Sequence, residues 1–237
     1  MTMNIKTDLV KNKEFVSPIK SSTLKHSQEY KVLATLRYLF PTRLNTMITG
    51  EAPDIQDCVN GIGIEVTAAV KENDMKASRI FSKLQQGKPK DTEKLKEKIK
   101  LSEYSFVTIN DEKAAISTTG TSDGEKYIFQ ECIRKKTKKL QQYRANFKSI
   151  GLAIILPEIP TSHAENNLSE WTYEIFKKSD NLFDFVYVIS HRFCIYYDTQ
   201  STVSEKHLLT CEENRLLSKI ARMTAEGELS LTDKEWL

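Results

Sequence analysis

Apolar residues first recur at helical spacing from Ser27, a residue type suited to an N-cap, where Leu33, Leu36 and Phe40 mark one face and Pro41 ends the run. Residues 1–26 before it are polar, rich in Lys, Ser and Thr, and read as an arm laid over the surface. Between 51 and 70 the period shortens to two: Ile62, Ile64, Val66, Ala68 and Val70 share one face of a strand, and Gly63, Glu65, Thr67 and Ala69 share the other. Asn60-Gly61 ahead of it is a strong hairpin signal, because both residues tolerate positive φ. Residues 74–86 return to a helical period, with Ala77, Ile80, Phe81 and Leu84 inward and Lys76, Arg79 and Lys83 outward.

Residues 87–126 hold a lysine-rich stretch, a strand at YSFVTI and the turn-rich STTGTSDGEK, and read as an insertion. A long helix is expected over 127–148, with Phe129, Cys132, Ile133, Leu140, Tyr143 and Phe147 in one stripe. GLAIILP suits a buried central strand and LSEWTYEIFKK a helix. FDFVYVIS and RFCIYYD suit two strands joined tightly at Ser190 and His191, and Ser204 to Ala225 a closing helix. The pattern predicts an α/β or α+β fold, a mixed sheet flanked by helices. Residues 27–237 then form one domain behind the arm.

With 39% hydrophobic and 28% charged residues, the 237-residue chain can bury one sizeable core. A net charge of +3 is too small to indicate a nucleic-acid partner, so local basic density must carry that argument. Cys58, Cys132, Cys194 and Cys211 lie far apart, which speaks against a zinc site or disulfide framework and for reduced, buried thiols. No run of apolar residues is long enough for a membrane span and no secretory h-region is seen, so a cytoplasmic protein without membrane association is expected. The G-x-S-x-G, P-loop, G-x-G-x-x-G and HExxH motifs are missing, leaving serine-hydrolase, P-loop, dinucleotide and zincin chemistry without support. His26, His163, His191 and His207 are isolated and read as surface or turn residues.

If Asn60 and Gly61 form a two-residue loop, Val59 pairs with Ile62, Gln56 with Glu65 and Asp54 with Thr67. Asp54 and Glu65 then lie diagonally opposite, roughly 7–8 Å apart at Cβ. Both could reach one Mg²⁺ between them, at about 2.0–2.1 Å per oxygen. A turn aspartate beside an exposed strand glutamate is the alternative. Lys136 falls inside the apolar stripe of the long helix, where a lysine either snorkels to water or is held to meet an anion. Arg134, Lys135, Lys138 and Lys139 surround the same helix, either to contact phosphates or as an ordinary solvated face.

Pro53-Asp54, followed about ten residues later by Ile64-Glu65-Val66-Thr67 in an apolar strand framed by helices, resembles the PD-(D/E)xK nuclease superfamily. The resemblance implies a restriction-endonuclease-like fold and an endonuclease acting on DNA, duplex more than single-stranded, in restriction or defence. It implies that Asp54 and Glu65 bind Mg²⁺ or Mn²⁺, with the Val66 carbonyl a third ligand. Glu29 is either a further ligand from the first turn of the first helix or an acid facing the helix dipole. The motif lysine is replaced by Thr67. Lys136, then Lys71, then Lys139 are the candidates to take over its role, and without a replacement the chain would be an inactive nuclease-fold module that binds nucleic acid or a protein. Cutting both strands of a duplex would suit a homodimer.

Overall fold

Buried residues alternate between two sides of a central sheet, and helices cover both. In a computed structural model of the chain, the described residues are 10–15, 19, 21–70, 97, 106–109, 114–117, 122–156, 160–177, 182–201 and 203–231. The elements are α1 (Ser21–Leu39), α2 (Pro41–Leu44), β1 (Ile48–Thr49), β2 (Ile55–Asp57), β3 (Ile62–Ala68), β4 (Phe106–Ile109), β5 (Ala114–Ser117) and α3 (Ser122–Thr137). They continue as α4 (Leu140–Arg144), β6 (Ser149–Ile155), α5 (Ser162–Phe176), β7 (Phe185–Ile189), β8 (Phe193–Asp198), β9 (Ser204–Leu208) and α6 (Cys211–Ala225).

Seven strands form one mixed sheet in the order β1-β2-β3-β6-β7-β8-β9. β3, β6 and β7 run parallel, and antiparallel hairpins flank them on each side. The fold is thus mixed α/β, as the element pattern predicts. β4 and β5 make a separate two-stranded antiparallel ribbon. On β7, Phe185, Tyr187 and Ile189 face a core closed by α1 and α6, whereas Val186 and Val188 face a second core closed by α3, α4 and α5. Two-sided burial explains why GLAII is an unbroken apolar run: Ala153 serves one core, and Ile150, Leu152 and Ile154 the other.

The β2–β3 hairpin departs from the two-residue loop. Gln56 pairs with Gly63 and Asp57 with Ile62, a shift of two residues that lengthens the loop to Cys58–Gly61. The Asp57 carboxylate holds this longer turn: Oδ1 accepts from the backbone N–H of Val59 and Asn60, and Oδ2 from Asn60 Nδ2 and Thr46 Oγ1. Burial alone would raise the Asp57 pKa, but these bonds hold it below the usual carboxylate value. Gly61 closes the turn at φ +69°. Because the shift is even, every β3 side chain keeps its predicted face.

Other boundaries move for physical reasons. α1 begins at Ser21, not Ser27, and Val10 of the preceding arm is fully buried in the α1–α6 core, where Phe15 also packs. The long helix expected over 127–148 starts earlier, at Ser122, and divides after Thr137. Asp123 and Glu125 suit its first turn, where carboxylates meet the positive end of the helix dipole. Ser204–Leu208, expected to open the closing helix, is instead edge strand β9, paired to β8. α6 starts at a capping box in which Thr210 Oγ1 accepts from the Glu213 N–H and Glu213 accepts from the Thr210 N–H. Of the thiols, Cys132 and Cys194 are buried as expected, but Cys58 and Cys211 are exposed. The helix expected over 74–86 lies outside the described residues.

Candidate active site

Glu65 projects from the middle of β3 towards α3, the face opposite Ile64 and Val66. It is 3% exposed, which removes the alternative of a glutamate on a wet sheet face. Asp54, 6% exposed, immediately precedes β2, and its Oδ2 accepts a 2.8 Å hydrogen bond from the Val66 backbone N–H. Asp54 is thereby tied to the strand that carries Glu65. The tie needs Pro53 close to β3, and Gly63 permits it: a Cβ there would stand 2.5 Å from Pro53 Cγ. By continuation of the observed register, Asp54 faces Glu65 directly, where the two-residue loop would have placed it diagonally.

A third acid comes from α1. Glu29 is 5% exposed and lies two turns into the helix rather than in its first turn, so the helix-dipole reading does not apply. Burying three carboxylates requires compensating charge. Lys136 on α3 supplies part of it, with Nζ 2.6 Å from Glu65 Oε1. Lys25, one turn before Glu29, supplies the rest, 3.1 Å from Glu29 Oε1 and 3.7 Å from Asp54 Oδ1. The bond to Glu29 raises the Lys25 pKa, and attraction to Asp54 and Glu65 adds to it. His26 Nδ1 lies 3.0 Å from Glu29 Oε2. The Tyr143 phenol, from α4, is pushed well above its ordinary pKa by burial and by the neighbouring Glu65 carboxylate.

Lys136 thus resolves the choice left by its position in the apolar stripe. Its ammonium meets an anion instead of turning fully to water. Thr67, where the motif lysine would stand, is half-buried on the same strand face as Glu65. Lys71 lies outside the described residues. Lys139 stands at the α3–α4 break with Lys138, both exposed. Arg134 and Lys135 are exposed and lean on Glu131, at 3.7 and 4.0 Å, which offsets part of their charge.

Two participants escaped the sequence reading. Lys25 was assigned to the arm, although Lys25 and Glu29 have the i, i+4 spacing that a helix begun earlier would have exposed. Tyr143 was assigned to the core stripe, and its hydroxyl carried no separate signal.

Among the described residues, no group of three or more His, Cys, Asp and Glu side chains is arranged to hold a metal ion. The acids instead converge on two ammonium groups. Their chemistry nonetheless suits a hard cation: Asp54, Glu65 and Glu29 offer carboxylate oxygens, without the thiolate or imidazole donors that favour zinc. Lys25, whose side chain is 74% exposed, marks the place where positive charge is already held between Glu29 and Asp54. Among the described residues no helix is long and apolar enough to cross a membrane. No family model, curated protein or solved structure matches the chain.

Proposed function

We propose that the chain is a metal-dependent phosphodiesterase, an endonuclease acting on duplex DNA in the cytoplasm, with a role in restriction or defence against foreign DNA. One observation carries the reading: Lys136 reaches Glu65 from α3, beside an Asp54 tied to the same strand, in a chain whose motif position holds Thr67. That contact supports reading Lys136, from a neighbouring helix, as the replacement for the motif lysine of the PD-(D/E)xK pattern. Asp54, Glu65 and the Val66 carbonyl would hold Mg²⁺ or Mn²⁺, with Glu29 as a further oxygen donor. When bound, the ion would acidify water and neutralise charge on the phosphate.

The remaining work falls to the chain itself. Lys136 orients the attacking water and stabilises negative charge growing on the phosphate oxygens. Glu65 fixes the Lys136 ammonium. Arg134, Lys135, Lys138 and Lys139 contact backbone phosphates and release counterions, which makes DNA affinity fall as salt rises. Two copies, each cutting one strand, would complete a double-strand break.

A second reading has its own observation. Lys25 and Lys136 already span the three acids, as they would in a chain that keeps the fold and binds nucleic acid without cutting it. The test is an incubation of plasmid, single-stranded DNA and RNA with purified protein in Mg²⁺, Mn²⁺ or EDTA, beside Glu65→Gln. Cleavage of plasmid that needs the metal and is lost in Glu65→Gln is expected. Retention of plasmid in a gel shift, with no cleavage and with the variant binding equally well, refutes catalysis in favour of the binding module.

A further inference from the structure

A cleft of about 160 Å³ opens between α1, β1 and the segment after α6, away from the Asp54–Glu65 site. Arg37 of α1 lines it at 8% exposure. A buried guanidinium ordinarily faces a carboxylate. Among the described residues Arg37 faces none: its Nη1 and Nη2 donate to the carbonyls of Leu231 and Met47, and its Nε, closed off from solvent, has no hydrogen-bond partner there. The guanidinium carries five N–H donors in a plane, so two carbonyls leave it well short of saturation, with no neutralising carboxylate among the described residues.

We propose that this cleft binds a small carboxylate with a short aliphatic body, held by the Nη N–H donors of Arg37 that the two carbonyls leave unused. The walls select the class. Leu33, Ile48, Leu229 and Leu231 are aliphatic and suit a hydrocarbon tail, and Thr49 adds a hydroxyl to the lining. Arg37 is the sole cationic side chain lining the cleft among the described residues, which matches a single negative charge and not a phosphate dianion. A planar carboxylate also fits the fork of a guanidinium edge. The assignment is independent of any metal chemistry at Asp54 and Glu65.

The test is calorimetric titration of the full chain with sodium isovalerate, with isovaleramide and inorganic phosphate as comparisons. Saturable isovalerate binding is expected, weaker by about tenfold or more for the uncharged amide, because the charge-assisted bonds are lost. Arg37→Met should abolish it. Since that variant also loses two structural bonds, Ile48→Trp provides the second arm: Ile48 lines the cleft at 48% exposure, so a larger side chain there narrows it while Arg37 itself is retained. Ile48→Trp should fold and lose isovalerate. The proposal is overturned by absence of saturable isovalerate binding, by equal binding of the amide, by tighter binding of phosphate, or by undiminished binding in folded Ile48→Trp.

Discussion

Replacing Lys136 by Met removes the ammonium 2.6 Å from Glu65 while keeping an unbranched apolar stem. The gross attraction at that separation is about 6 kcal/mol for an effective dielectric constant of about 20. Water reaching the Lys136 side chain, 23% exposed, cuts that figure, whereas Glu65 at 4% side-chain exposure cannot recover hydration once its partner is gone. Removing one partner of a buried pair costs about 3–5 kcal/mol. Lys136→Met should therefore lose about 2–4 kcal/mol, the water that reaches Lys136 trimming the cost of a fully buried pair. Urea unfolding of wild type, Lys136→Met, Glu65→Gln and the double variant measures this, and the double variant should recover part of the loss. A cost below about 0.5 kcal/mol refutes the claim that Lys136 neutralises a buried Glu65.

Three further outcomes are expected. Burial lowers the Lys31 amine from 10.5 to about 8, where it donates to Asn214 Oδ1. The unfolded chain then binds more protons between those values, so stability rises with pH from about 8 to 10, by about 2–3 kcal/mol in denaturant titrations, and Lys31→Met flattens that slope. In a thiol titration with a disulfide reagent, exposed Cys58 and Cys211 react in the native state. Cys132 and Cys194, pushed up to about 12 by burial, react only after unfolding. Thr210→Ala removes the side-chain half of the α6 cap and lowers the urea midpoint by an amount worth about 1 kcal/mol, which Thr210→Ser restores.

Local patterning was enough to determine several parts of this protein. The period-two run on β3 assigns Ile64 and Val66 to one side and Glu65 to the other, whatever the register. The unbroken apolar run of β6 requires cover on both faces, and the stripe of α3 and α4 picks out Lys136 as the one charge within it. Such features are legible because side-chain direction follows from the backbone repeat alone.

Tertiary structure decided what lies beyond the repeat. A two-residue turn was the best local choice for Asn60-Gly61, but the bond from Thr46 to Asp57 and the packing of Pro53 on Gly63 favour the longer loop, which brings Asp54 opposite Glu65. Ser204–Leu208 has no apolar alternation and becomes a strand because β8 offers it an edge. Lys136 and Glu65 are 71 residues apart, and Lys25 and Asp54 are brought together from separate elements. No window of sequence contains either pair. Their meeting depends on α1 and α3 packing against opposite faces of one sheet, where the need to neutralise buried carboxylates selects which lysines reach towards them.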